Sequence, residues 1–246
     1  MKPAAHGLTD VGRRRDKNED AYLVEPSMGL YAVADGMGGH AAGEIASRLA
    51  MDALSDSMRR GGWNPDSDDT DEATRRLESA VLEANRRICD SIQFHDEQRG
   101  MGTTLVALLT AGGRAVLAHV GDSRAYLLRG GALVRLTSDH SWVNEQVKLG
   151  LLSDDDAQRH PMRNIVTRAL GSRPDVAMDR GVEDMHTGDV FLLCSDGLNT
   201  MLSDDEIRDL MDRHRGQPES ACQALVAAAN QRGGEDNVTV VVVVVP

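Results

Sequence analysis

GGEDNVTVVVVVVP, residues 233–246, closes the chain and places two acidic residues directly before a run of apolar side chains. The run from Val238 to Val245 has eight residues, seven valines and Thr239. A membrane-spanning helix needs roughly 20 apolar residues, so this run is too short to cross a bilayer. A short β-branched run between Asn237 and Pro246 predicts a strand that is buried on both faces.

The composition indicates one globular domain over residues 1–246. Of the 246 residues, 41% are hydrophobic and 27% are charged, which suits a single sizeable core. The 39 acidic and 27 basic residues give a formal net charge of -12, which argues against nucleic acid or an anionic membrane as a partner. We expect a monomer whose excess of carboxylates binds cations.

The cysteines indicate a reducing compartment. Cys89, Cys194 and Cys222 are three in number, have no close spacing and fall within apolar patterns. They are interpreted as buried thiols rather than as disulfides. The first ten residues lack the apolar stretch of a signal peptide, and no later run is long enough to span a bilayer. The expected location is the cytoplasm.

Apolar periodicity predicts strands at both ends and in the middle of the chain, with helices in two pairs. Helical spacing runs from Ile45 to Met58 and from Leu77 to Ile92. Short β-rich runs between 103 and 136 predict an antiparallel meander. In the second pair, Ser203 and Glu206 form a predicted capping box, and the last helical pattern runs from Ala221 to Ala229. This order indicates an α+β layered fold.

Acidic residues recur where the predicted strands begin or end. They are Glu19, Asp20 and Asp236 at strand beginnings, and Asp35, Asp122 and Asp196 at strand ends. In an antiparallel sheet the end of one strand lies beside the beginning of its neighbour, so these side chains can share one rim. Aspartate and glycine are also ordinary turn residues, and any one of these positions alone indicates only a turn. Their recurrence favours a carboxylate cluster.

Crowded carboxylates repel one another and therefore need cations. All-oxygen ligands select hard ions such as Mg²⁺ or Mn²⁺ rather than zinc. Two such ions with a shared water are a known device for phosphoryl chemistry, in which the water is the nucleophile. Arg15, just before the first acids, is placed to clamp a phosphate with its planar guanidinium.

Seven motifs together resemble those of a known family of enzymes. They are RDKNEDA (15–21), VADGMGGHAAGE (33–44), MGTT (101–104), VGDSRAY (120–126), NIVTRALG (164–171), GDVFLLCSDGL (188–198) and GGEDNVTVV (233–241). In this order they resemble the metal-dependent serine/threonine protein phosphatases of the protein phosphatase 2C (PPM) family, in the compact bacterial form. The resemblance covers residues 7–245, essentially the whole chain.

The resemblance implies a four-layer α-β-β-α sandwich, with two antiparallel sheets flanked by helix pairs. It implies hydrolysis of phosphoserine and phosphothreonine monoesters in protein substrates by a water or hydroxide that bridges two Mn²⁺ or Mg²⁺ ions. A bacterial Ser/Thr kinase is the implied counterpart. Asp35 would bridge the ions, the Gly36 carbonyl and Asp20 would serve one ion, and Asp196 and Asp236 the other. Glu19 would hold a metal-bound water, Asp122 would help Asp196 to bind a weaker third ion, and Arg15 would bind the phosphate.

Two further implications concern a general acid and a flap. Animal members carry a histidine directly after the DG dipeptide, whereas Met37 stands here and His40 is the nearest candidate. His40 acts either as the acid for the leaving group or in a structural role. Residues 142–171 resemble the mobile flap beside the bacterial site, and we call them the flap segment. Its His160, Asn164 and Arg168 either contact the substrate or order the loop, with ordering favoured.

Alternative functions come from several classes. GDSRA around Ser123 approximates a nucleophile elbow, but a β-like run follows where that motif requires a helix. GMGGH is not followed by the lysine of a nucleotide-binding loop. A non-catalytic pseudophosphatase scaffold should lack a metal ligand, and none of the implied ligands is missing. A phosphatase of small phosphomonoesters would share the chemistry and differ only in its surface.

Overall fold

The computed structural model describes residues 2–38, 42–67 and 69–246, with the side chains of residues 154 and 158 outside that description. The strands are β1 (Ala4–Asp10), β2 (Asp20–Glu25), β3 (Leu30–Met37), β4 (Gly102–Thr103), β5 (Leu105–Ala111), β6 (Arg114–Val120), β7 (Arg124–Arg129), β8 (Ala132–Arg135), β9 (Asp179–Asp184), β10 (Val190–Cys194) and β11 (Val238–Val244). The α-helices are α1 (Ala42–Arg60), α2 (Thr70–Phe94), α3 (Trp142–Lys148), α4 (Asp154–Arg159), α5 (Asp196–Asn199), α6 (Asp204–Arg213) and α7 (Pro218–Gln231).

Two antiparallel sheets form the centre of the molecule. The first has the strand order β1-β11-β10-β7-β8, and the second has the order β2-β3-β5-β6-β9 with β4 paired to β3. Three apolar clusters place these sheets between helices: one packs α1 and α2 on the second sheet, one packs α6 and α7 on the first, and one lies between the sheets. The predicted four-layer α-β-β-α sandwich is confirmed.

The terminal strand β11 shows how the sequence sets these layers. It pairs with β1 on one side and with β10 on the other, so it is an interior strand of the first sheet. Val238, Val240 and Val242 join the cluster against the helices, whereas Val241 and Val243 join the cluster between the sheets. Alternate side chains of a strand point to opposite faces, so an all-valine run fills both cores. The predicted burial on both faces is confirmed.

The predicted meander over residues 103–136 is wrong in one respect. β5 pairs with β6 and β7 pairs with β8, but β6 and β7 belong to different sheets. Between them the chain crosses from one sheet to the other through Gly121, Asp122 and Ser123. The apolar pattern specifies strands without specifying partners, and this crossing brings Asp122 to the rim where both sheets end.

The predicted helix pairs are present as α1 with α2 and α6 with α7. The capping box is confirmed, because Ser203 accepts from the backbone of Glu206 while the Glu206 side chain accepts from the backbone of Ser203.

The cysteines are unpaired; Cys194 and Cys222 are buried, but Cys89 is only partly buried, since its position on α2 lies at the edge of the apolar face. Among the helices of the described ranges, none combines the length and the apolar character that crossing a membrane requires.

Candidate metal centre

Asp20 and Asp35 stand opposite each other on neighbouring strands of the second sheet. Their Cα atoms are partners in the β2–β3 register, as the strand-end pattern predicts. The backbone of Asp35 is fixed by two threonines: its N–H donates to Thr104 Oγ1 at 3.0 Å, and its carbonyl accepts from Thr103 Oγ1 at 2.9 Å. The backbone that carries these two carboxylates is therefore held in place at the edge of the sheet.

Ser195 of the other sheet holds the Asp20 carboxylate. Ser195 Oγ donates to Asp20 Oδ2 at 2.8 Å and accepts from the backbone N–H of Thr239 at 3.0 Å. These contacts join the end of β10 and the start of β11 to the start of β2. The other oxygen, Asp20 Oδ1, is buried and has no hydrogen-bond partner among the described residues. A buried oxygen acceptor without a donor is a position that a cation can satisfy.

Gly36 lies where three backbone segments meet. Its N–H donates to the carbonyl of Glu19 at 3.1 Å. A Cβ atom at this position would clash with the carbonyl oxygens of Glu19 and of Gly43 in the first turn of α1. Only glycine leaves room for this approach, which keeps Glu19 next to the end of β3.

The remaining carboxylates come from the first sheet and from the crossing between the sheets. Asp196 opens α5 directly after β10, Asp236 precedes β11 by two residues, and Asp122 lies in the crossing. Besides burial, the charge of Asp196 raises the pKa of Asp35, so these two carboxyl groups from different sheets lie close together. The predicted convergence of the strand-end acids on one rim is observed.

Arg15 borders this rim and contacts one of its acids. Its Nη2 donates to Asp236 Oδ2 at 2.7 Å, and 55% of its side chain is exposed. The carboxylate of Asp236 raises the pKa of Arg15, so the guanidinium stays charged. Gly12, at a φ of +82°, lets the preceding turn pass against the carbonyl of Asp236.

A cleft of about 600 Å³ opens above these groups. Its lining includes acidic and basic residues. The acidic residues are Glu19, Asp35, Asp122, Asp196 and Asp236, and the basic residues are Arg14, Arg15 and Lys17. Asp35 and Asp196 keep some accessible surface at the floor, although protein surrounds both carboxyl groups. The cleft thus has carboxyl groups at its floor, which is the rim of the two sheets, and basic residues around its opening.

Burial and mutual repulsion raise the pKa values of the floor carboxyl groups. Burial raises the pKa of Asp20 to about 7, that of Asp122 to about 8 and that of Asp196 to about 6, and neighbouring carboxylates add to each shift. Burial, with the charges of Asp20 and Asp196, raises the pKa of Asp35 well above its usual range. A raised pKa means that stability is lost as the pH rises through it. Full ionisation at neutral pH therefore calls for a compensating cation.

The donor set fits hard divalent cations, although the side chains do not yet form a finished coordination shell. In the described part of the chain, no three Asp, Glu, His or Cys side chains converge closely enough to enclose an ion. The orphaned Asp20 Oδ1 and the buried, mutually repelling carboxyl groups nevertheless favour a cation here, because positive charge relieves both features. The Asp236 side chain, which is 33% exposed, lines the cleft beside these groups.

The predicted general acid and flap residues have different outcomes. His40 lies outside the described residues. His160 packs on Trp142 at a ring-centroid distance of 5.0 Å, and Arg168 Nη1 donates to Asp179 Oδ1 at 3.1 Å. Both contacts order the loop. Asn164 alone of the three predicted flap residues lines the cleft.

Asn237 is a positioning residue that the sequence argument missed. Its Nδ2 donates to the carbonyls of Val11 at 3.0 Å and Lys17 at 2.9 Å, and its Oδ1 accepts from the N–H of Glu19 at 2.8 Å. The buried amide thus fastens both ends of the loop that carries Arg15 to the strand that follows Asp236. The signal was present in the sequence, since asparagine side chains bind backbone groups readily, but the partners are more than 200 positions away.

With Arg15 as the phosphate ligand that the family resemblance implies, we expect Asn237→Ala to weaken phosphate binding by releasing the loop that carries Arg15. Loss of three buried hydrogen bonds should destabilise the fold by about 2–3 kcal/mol and raise the KM for a phosphopeptide more than it lowers kcat. The matched control is Asn85→Ala. Asn85 donates to the carbonyls of Arg173 and Pro174 and accepts from the N–H of Gly171, so it loses the same set of bonds elsewhere.

Thermal unfolding and steady-state kinetics of both variants test this assignment. Comparable losses of thermal stability with a raised KM only in Asn237→Ala would support it. Equal KM values in the two variants would show that Asn237 is merely structural.

Comparison with known proteins agrees with this geometry. The family described as "Protein phosphatase 2C" matches residues 12–231. The Serine/threonine phosphatase stp of Listeria welshimeri is 40% identical over 240 residues, which are 96% of this chain and 93% of that protein. The crystal structure of the Mycobacterium tuberculosis serine/threonine phosphatase PstP/Ppp matches with a TM-score of 0.91 and 36% identity, over 100% of this chain and 99% of that chain.

A further solved structure bears on the metal. The catalytic domain of the serine/threonine protein phosphatase PstP in complex with two manganese ions matches with a TM-score of 0.87 and 36% identity, over 98% of each chain. The chain described here belongs to the protein phosphatase 2C family. Its membership and the manganese-bound relative support the use of divalent cations.

Proposed function

We propose that this chain is a protein serine/threonine phosphatase that hydrolyses phosphoserine and phosphothreonine monoesters with the help of two Mn²⁺ or Mg²⁺ ions. One observation carries the proposal: carboxylates from both sheets meet at one rim, directly beside the guanidinium of Arg15. Acidic side chains suit the metals, and the arginine suits the phosphate. Names of the relatives, which include serine/threonine phosphatases, agree with this activity.

The proposed ligands are those that the family resemblance implies, and the carboxyl groups beside the cleft support them. Asp35 would contact both ions, Asp20 and the Gly36 carbonyl would hold one, and Asp196 and Asp236 the other. Glu19 would act through a water, and Asp122 with Asp196 would hold a weaker third ion. The ions, when bound, would supply Lewis-acid activation of water and neutralise the charge of the phosphate.

The protein's own groups bind and orient the substrate. Arg15 uses one N–H for Asp236, so its other donors remain available for two phosphate oxygens. Hydrogen bonds to Thr104 and Ser195 keep Asp35 and Asp20 in place. The proton for the leaving alkoxide is assigned, as a proposal, to His40.

The kind of substrate that the protein hydrolyses distinguishes a protein phosphatase from a phosphatase of small phosphomonoesters and from a pseudophosphatase scaffold. A comparison of kcat/KM for a phosphothreonine peptide with that for free nucleotides should favour the peptide, because the open cleft joins a further cavity that a small ester would leave unused. Higher values for nucleotides would indicate a phosphatase of small phosphomonoesters. Binding of the peptide without turnover of either substrate would indicate a pseudophosphatase scaffold.

We further propose that the chain acts as a one-domain monomer in the cytoplasm and reverses the action of a Ser/Thr kinase. Unpaired Cys89, Cys194 and Cys222 support a reducing compartment. The three apolar clusters, which share the two sheets, support one domain.

A further inference from the structure

A second cavity adjoins the metal centre on the side of the flap segment. Its volume is about 620 Å³, and it lies between α3 and α4 of the flap segment and the opposite wall formed by α5 and the start of α6. Asp122, Asn164 and Asp196 line both this cavity and the cleft. The cleft and the second cavity therefore share a wall beside the metal centre. A phosphorylated substrate residue that is bound in the cleft would place the neighbouring residues of the substrate near the second cavity.

Four arginines line this second cavity, and two of them are neutralised. Arg124 binds Asp139 through two nitrogens at 2.6 to 3.2 Å, and Arg232 pairs with Glu206. Both guanidinium groups already have a carboxylate partner.

The other two arginines have no carboxylate of their own, because Arg135 shares Asp139 with Arg124 and Arg163 is unpaired among the described residues. Arg135 lies 4.0 Å from Asp139, whose oxygens Arg124 already occupies. Arg163 is exposed and has no ion pair in the described part of the chain. Asp204 is the cavity's remaining carboxylate away from the metal centre, and it accepts from the hydroxyl of Tyr126 at 3.0 Å. In the part of the cavity away from Asp122 and Asp196, two guanidinium groups without a carboxylate of their own thus accompany Asp204.

We propose that this cavity is a substrate subsite that binds an anionic side chain a few residues from the phosphoester. The ligand is a carboxylate or a second phosphate, since the planar guanidinium binds both in the same bidentate way. An extended chain advances about 3.3 Å per residue, so a side chain two to four residues away reaches the adjoining cavity. Val143 and Val147 offer apolar contacts to the intervening residues. This subsite rests on the proposed function and makes Arg135 and Arg163 specificity-determining residues.

The test compares phosphothreonine peptides that differ at one position, two to four residues to either side, where they carry glutamine, glutamate or phosphoserine. We expect glutamate or phosphoserine at one of these positions to raise kcat/KM about fivefold to tenfold over glutamine at low salt, and less at high salt. The double variant Arg135→Gln/Arg163→Gln should lower that ratio to about one. Turnover of p-nitrophenyl phosphate, which has no flanking residues, should stay unchanged.

The matched control is Arg75→Gln/Arg213→Gln. Arg75 and Arg213 are exposed and lie outside the linings of both cavities, so this variant makes the same change in net charge. It should keep the wild-type preference. A preference for phosphoserine alone assigns the subsite to a second phosphate, and a preference for both anions assigns it to either group.

Equal kcat/KM for all peptides in the wild type, or a preference that survives in Arg135→Gln/Arg163→Gln, would overturn the subsite. Binding of the same peptides to the Asp35→Asn variant, followed by fluorescence anisotropy, gives a readout that needs no turnover. If the wild-type protein turned over none of the peptides while the Asp35→Asn variant still bound the anionic peptides more tightly, the proposed activity would be contradicted and the subsite would still be supported.

Discussion

Asp35→Asn is expected to lower kcat/KM for a phosphothreonine peptide by roughly three orders of magnitude or more. Asp35 lies at the centre of the cluster, since burial and then the charges of Asp20, Asp196, Asp122 and Asp236 raise its pKa. Asparagine keeps the shape of the side chain and removes the charge that would hold both ions. Kinetics with Mn²⁺ in excess measure the loss.

The same variant should keep or gain thermal stability in the absence of metal. The carboxyl groups of the floor repel one another, and their raised pKa values show that ionisation opposes folding. Removal of one charge relieves that repulsion, and a gain of about 1 kcal/mol would raise the Tm by roughly 2–4 °C in a chain of this size. The rise in Tm that Mn²⁺ gives to the wild type should shrink in the variant.

Asp52→Asn is the matched control, because Asp52 is exposed on α1 and lies outside the cleft lining. It should retain both the activity and the Mn²⁺-dependent rise in Tm. An Asp35→Asn variant with near wild-type kcat/KM, or with an unchanged response of the Tm to Mn²⁺, would contradict the central place of Asp35.

Arg15→Ala is expected to raise the KM for a phosphopeptide about 10-fold to 100-fold, with a smaller effect on kcat. That range corresponds to the loss of hydrogen bonds to a charged phosphate, about 1.5–3 kcal/mol. The fold should change little, because the Arg15 side chain is 55% exposed and ion pairs at the surface contribute about 0–1 kcal/mol. Inhibition by inorganic phosphate should weaken in parallel.

Arg15→Lys separates charge from geometry at this position. Lysine keeps the positive charge but has no planar fork for two phosphate oxygens, so an intermediate KM is expected. A KM that is unchanged in Arg15→Ala would show that the phosphate is bound elsewhere on the rim.

The sequence was most informative where one segment settles both the packing and the chemistry. The valines of β11 demand burial on both faces, and this alone requires a layer on each side of the first sheet. Because those valines fix the start of the strand, Asp236 must lie at the sheet edge. Glu235, its neighbour in the loop before β11, is exposed, as we expected.

The parts that could not be predicted depend on long-range partners. A local apolar pattern does not state which sheet a strand joins, so the crossing at Asp122 between β6 and β7 was missed. Asn237 was passed over because its three bonds reach the loop of residues 11–19 at the other end of the chain. The second cavity likewise exists only where the flap segment meets α5 and α6.

The most direct test of the account is phosphate release from a phosphothreonine peptide by the purified protein, measured in excess EDTA and then during titration with Mn²⁺ or Mg²⁺. The carboxylate rim is proposed to act only with divalent cations. The account predicts that turnover is abolished in EDTA and restored as the metal exceeds the chelator. Full activity in excess EDTA would contradict it.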